Sequence, residues 1–167
     1  MNHDGVDRIR SFFLKAAGQC YAGDLPKTTI AELPKSKVYT YEEGDLLYRD
    51  VYFKNGDGSG GQTTIFQDGV PVWLMQYHGL NFKDDPKTIA FLKMALRETY
   101  CNGIWNLGRG PSSFTHPDFP NLKYAVERSK DTEFEQIEAF SGWERISKGD
   151  SIIFWHHFQG WMLEEIE

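Results

Sequence analysis

Apolar positions along the chain recur with two different periods: three to four residues in two stretches, and two residues almost everywhere else. Val6, Ile9, Phe13, Ala16, Ala17 and Cys20 fall on one stripe, which predicts an amphipathic helix over 4–19 with Asp4 as its N-cap. Ile89, Leu92, Leu96 and Tyr100 mark a second helix over 86–100, opened by Asp84-Asp85-Pro86, a capping group followed by the proline that suits a first helical turn. Between and after these helices the pattern is that of strands: 38–41, 46–53, 62–67 and 70–78 in the first half, then 122–127, 132–140, 143–146 and 151–158 in the second. Asp68-Gly69 and Lys148-Gly149 suit hairpin turns, where positive φ is needed. The glycine-rich stretch 55–61 reads as a flexible turn, and 24–37 as a loop.

Two stretches echo each other. Gly61 to Gly79 and Gly142 to Gly160 span equal distances, each with a turn dipeptide in the middle and a dense apolar-aromatic strand after it. Each follows one of the two helices. The expected fold is therefore α+β, with two helix-plus-four-antiparallel-strand repeats, 1–82 and 83–167, related by a pseudo-twofold axis within one compact domain.

Composition narrows the function classes. The 167 residues carry 15% aromatics, enough large apolar surface for a packed core. The net charge of −6 and the lack of any basic run argue against a nucleic-acid partner. No apolar run reaches membrane-spanning length, so no membrane association is expected. The first residues lack the basic-then-apolar design of a signal peptide, which makes the cytoplasm the expected compartment. Cys20 and Cys101, each at the end of a helix, read as reduced thiols. No zinc spacing, cofactor fingerprint or catalytic motif is present; no cofactor is expected, no catalytic or metal-binding residue is singled out, and the sequence leans against an enzyme.

The chemistry concentrates on the fourth strand of each unit. Trp73, Met75 and Tyr77 share one face of 70–78, and Gln76 and His78 share the other; along 151–158, His156 faces opposite to Trp155 and His157. Both faces of both strands are apolar enough to be covered, one by the helix and the other by the second unit, a ligand or another subunit. Polar groups set in such surroundings need partners. In the first hairpin, Tyr48, Asp50 and Tyr52 share a face, an acid between two tyrosines. The candidate ligand-binding set is therefore Tyr48, Asp50, Tyr52, Trp73, Gln76, Tyr77, His78, Trp155, His156 and His157. The segment Gly108-Arg109-Gly110-Pro111-Ser112-Ser113 looks like an anion-cradling loop but lacks the spacing and lysine of a P-loop.

Through Cys20-Tyr21-Ala22-Gly23, Tyr41-Glu42-Glu43-Gly44-Asp45 continuing to Tyr52, Gly60-Gly61-Gln62 and Pro71-Val72-Trp73-Leu74-Met75-Gln76-Tyr77-His78-Gly79, the chain resembles an uncharacterised bacterial family, the domain of unknown function (DUF) 5680. The first half carries the resemblance. Members of that family often follow a helix-turn-helix in regulators, and the resemblance implies no established activity. Three functions remain: a module binding a small aromatic or amphipathic molecule, a protein-interaction or homodimer-forming module, and, as the weakest, a metal-dependent enzyme of duplicated α+β type.

Overall fold

A computed structural model describes residues 2–23, 25–130 and 135–163. Helix α1 (His3–Gln19) is capped by Asn2, whose side chain accepts from the Gly5 amide at 3.0 Å; the cap is thus two residues earlier than Asp4, which instead places its charge in the first turn. Helix α2 (Pro86–Tyr100) starts as the sequence predicts, with Asp85 accepting from the Lys87 amide at 3.0 Å and from the Thr88 hydroxyl at 3.1 Å.

Among the described residues ten antiparallel strands form one sheet: β1 (Thr28–Ile30), β2 (Leu33–Glu43), β3 (Leu46–Asn55), β4 (Gly58–Gln67), β5 (Val70–Asn81), β6 (Ser113–Phe114), β7 (Leu122–Arg128), β8 (Glu135–Gln136), β9 (Ala139–Lys148) and β10 (Ser151–Met162). The order across the sheet is β1-β2-β3-β4-β5-β10-β9-β7-β6, with β8 paired to β9. β5 and β10, the fourth strands of the two expected units, are hydrogen-bonded neighbours from Trp73↔Met162 to Asn81↔Phe154. The halves thus join edge to edge into a continuous sheet. Both helices pack against one face of it, and a core led by Phe13, Trp73, Phe91, Tyr124, Phe154 and Phe158 runs through both halves.

Several expectations are corrected. The 24–37 stretch is not all loop, because Ile30 and Leu33 close a small hairpin of β1 on β2. The glycines expected to form a turn lie inside β4, and only Gly56-Asp57 turn the chain. Gly61 explains why: a Cβ there would lie 2.5 Å from the Tyr52 Cβ across the ladder, so glycine makes room for a large inward ring. The expected strand 132–140 lies in part outside the described residues; in the described part, Ile137-Glu138 turn the chain and β9 then runs unbroken through Gly142. The expected cover on both faces of the fourth strands is also corrected. Edge-to-edge joining leaves the face away from the helices without a second unit against it, and Gln76 and His78 are exposed there.

Candidate functional site

Strand alternation places Tyr48, Asp50 and Tyr52 of β3, Thr63 of β4, Met75 and Tyr77 of β5, Glu144 of β9 and His156 of β10 on the face beneath the helices. Ordinary core strands would put only apolar groups there. Here ionisable groups gather around a hollow of about 40 Å³, closed from above by Phe13, Ala17 and Tyr21. That is space for a few waters or a ligand group of similar size.

Asp50 is 2% exposed. Its Oδ1 accepts from the Tyr77 hydroxyl at 2.7 Å and from the Thr63 hydroxyl at 3.0 Å. Burial pushes the carboxyl up to about 6, against the opposing pull of the Tyr77 and Thr63 hydrogen bonds and the Arg109 charge.

The second acid, Glu144, has the opposite fate. Burial, the largest single influence, would raise it too, but the Arg109 guanidinium, bonded to its Oε1 through Nη2, and the nearby His156 ring together outweigh that and hold it down at about 2. The Tyr124 hydroxyl donates to Oε2 at 2.8 Å and accepts from the Gly110 amide at 3.0 Å. Arg109 arrives on the loop after α2, where Leu107 and Gly108 adopt positive φ of 52° and 63°. The Thr99 hydroxyl donates to the Arg109 carbonyl at 2.7 Å, and the Tyr100 hydroxyl to the Gly108 carbonyl at 2.8 Å, so α2 fixes the loop. The Arg109 Nε is buried with no acceptor among the described residues.

His156 completes the cluster. Its Nε2 is 3.2 Å from the Ser59 hydroxyl. Its Nδ1 lies 3.3 Å from Glu144 Oε1, but out of line for a hydrogen bond, and has no other partner among the described residues. Burial lowers its pKa despite Glu144, so the ring is neutral around pH 7. Gly79, opposite it on β5, is required, because a Cβ there would collide with the Trp155 carbonyl and the His156 ring.

The sequence candidates therefore divide. Tyr48, Asp50, Tyr52, Tyr77 and His156 line the hollow. Trp73 is sealed in the core beside it, its indole N–H donating to the Ile137 carbonyl at 3.0 Å. Gln76, His78, Trp155 and His157 sit on the opposite face of the sheet, where Trp155 and His157 join Trp143, Arg145, Gln159 and Trp161 along an open groove of about 940 Å³. Arg109, which the sequence offers only as part of the glycine-rich 108–113 segment, and Glu144 are additions to the candidate set. Glu144 was visible as the one acid in phase with Phe140, Gly142 and Ile146, on the inward face of its strand.

Among the described residues no group of three or more His, Cys, Asp or Glu could hold a metal ion, and no helix is long and apolar enough to cross a membrane.

A family model described as a domain of unknown function, DUF5680, matches residues 50–163. The chain belongs to this family. The DUF5680 match starts at Asp50 and takes in Arg109, Glu144 and His156, well beyond the first half that carries the resemblance in the sequence, while Tyr21 and Tyr48 of the hollow lie before it. No curated protein and no solved structure matches the chain.

Proposed function

We propose that this DUF5680 chain is a small-molecule-binding module whose site is the hollow between the helices and the sheet. One observation carries the reading: Asp50, Arg109 and His156 are all buried and line one hollow, Arg109 being paired with the buried Glu144, and Arg109 Nε and His156 Nδ1 have no hydrogen-bond partner among the described residues. Burying polar groups incompletely satisfied costs about 1–3 kcal/mol each, an outlay a purely structural core has no reason to carry. The hollow takes an uncharged, hydrogen-bonding end of the ligand, since the Arg109 charge is already matched by Glu144. A larger, amphipathic ligand widens the site by moving Tyr21 and Tyr52, which stand at its outer side. The matched glycine-bounded segments and the pairing of β5 with β10 support an origin of the two halves by duplication, with the site at their junction.

The test is a thermal-shift screen of small polar fragments against the wild type and Asp50→Asn. Fragments that stabilise the wild type and lose most of that effect in the variant support the reading. Fragments that stabilise both equally count against it.

A second reading, assembly through the outer sheet face, is favoured by Trp143, Ile152 and Trp161, which are 47%, 50% and 36% exposed on or beside the open groove. Sedimentation velocity on the wild type and Trp143→Glu decides it; a monomer in both removes it.

A further inference from the structure

At the outer side of the hollow, Tyr21, Tyr39 and Tyr52 form a triangle with all three ring-to-ring distances at 6.3 Å. Tyr21 and Tyr52 also line the hollow. A lysine stands over each ring: Lys93 over Tyr21 at 5.6 Å, Lys27 over Tyr39 at 5.9 Å and Lys37 over Tyr52 at 5.6 Å. Lys27 Nζ is also 3.4 Å from the Tyr52 hydroxyl.

Arg8, Arg10, Lys15, Lys54, Arg109 and Arg145 each touch a carboxylate. Lys27, Lys37 and Lys93 have no carboxylate within ion-pair distance among the described residues, although the chain carries 24 acids against 18 Lys and Arg. Other lysines, such as Lys35, Lys83 and Lys123, also lack a carboxylate within ion-pair distance among the described residues; what sets Lys27, Lys37 and Lys93 apart is that each stands over a ring of the same triangle. Three like charges are thus gathered on one aromatic platform in an acidic protein. The rings offer each a partial counter-charge through their faces but do not neutralise it. Lys27 shows the cost: burial first, then Lys37, Lys93 and Lys54, hold its pKa below the ordinary lysine value. Lys54 is already engaged by Asp84. An unneutralised cationic cluster at the mouth of a hollow has its simplest explanation in an anion that is brought to it.

We propose that Lys27, Lys37 and Lys93 on the tyrosine triangle form an anion-binding rim, and that the ligand of the hollow carries a phosphoryl or carboxyl group that docks there while its uncharged end reaches Asp50 and Arg109. The inference rests on the reading of the hollow as a ligand site and adds the charge class of the ligand.

Three three-carbon probes test it: glycerol phosphate, glycerate and glycerol, titrated at low salt into the full chain labelled with ¹³C at its methionine methyls. Met75 lines the hollow and reports occupancy from within. The expected result is that an anionic probe shifts the Met75 signal at concentrations at least tenfold lower than glycerol does. Lys27→Gln, Lys37→Gln and Lys93→Gln each weaken it three- to tenfold and leave glycerol unchanged. Lys123→Gln, an exposed lysine on β7, has no effect. The ratio of phosphate to carboxylate affinity identifies the docked group. These lysine variants sit at the surface, so loss of folding does not confuse the outcome. Equal affinity for glycerol and the anions overturns the rim and leaves the hollow as a site. Equal weakening by Lys123→Gln also overturns it, because net charge alone then explains the preference. Anion binding that depends on the three lysines without any shift at Met75 upholds the rim and removes the hollow.

Discussion

Arg109 and Glu144 form an ion pair between the loop after α2 and the middle of β9, with side-chain exposures of 7% and 0%. Charges this deep are retained only while both are present. Removing one partner strands the other, at roughly 3–5 kcal/mol, whereas replacing both by apolar groups of similar size is often close to neutral. Glu144→Gln is therefore expected to lower unfolding free energy by about 3 kcal/mol or more in urea titrations, and Arg109→Met/Glu144→Leu to recover most of that loss. A double variant as unstable as the single one would show that the pair's hydrogen bonds to Tyr124, rather than its charges, carry the stability.

Asp50 makes stability fall with rising pH. Its carboxyl holds a proton more tightly in the folded chain, at about 6, than at its ordinary 3.8. The contribution is complete below about pH 4 and is lost as pH rises through about 6. Asp50→Asn keeps the acceptor for Tyr77 and Thr63 and removes the buried charge. The variant is expected to flatten the slope between pH 4 and pH 6 and to be more stable than the wild type at pH 8 by roughly 2–3 kcal/mol. Melting curves across that range check it.

The thiols differ in access. Cys20 is buried and its thiol is pushed up to about 12, by burial first and by Asp50 second, while Cys101 is exposed. One equivalent of a thiol reagent is expected to react with the folded protein at pH 8 and two after unfolding. Rapid reaction of both thiols in the native state would contradict the packing of α1.

Gly61→Ala is expected to cost about 1–3 kcal/mol, because its methyl would press on Tyr52 and the Val51 carbonyl. The variant should also shift the near-ultraviolet circular dichroism of the tyrosine triangle. An unchanged spectrum with unchanged stability would mean that β3 and β4 do not lie in this register.

How much of this was legible beforehand follows from what each signal depends on. The helices were readable because apolar stripes and the Asp85-Pro86 cap are local. The shared face of Tyr48, Asp50 and Tyr52, and the opposition of His156 to Trp155 and His157, were readable because strand alternation is fixed. The glycines of β4 were misread as a turn because their reason lies on another strand, in the Tyr52 ring. The pairing of Arg109 with Glu144 was invisible for the same reason, since 35 residues separate them and no local pattern links them. The division of the candidates between two faces of the sheet depends on whether the halves meet face to face or edge to edge, and alternation alone says nothing about that.

The most direct measurement is a titration of the ¹³C-methyl signals of Met75 and Met162 with fragments that raise the melting temperature. Met75 lines the hollow and Met162 ends β10 away from it. A ligand site beneath the helices predicts that Met75 shifts saturably, Met162 does not, and Asp50→Asn weakens the effect at least fivefold. Fragments that stabilise the protein while Met75 stays still and the indoles of Trp143, Trp155 and Trp161 move would place binding on the opposite face and contradict it.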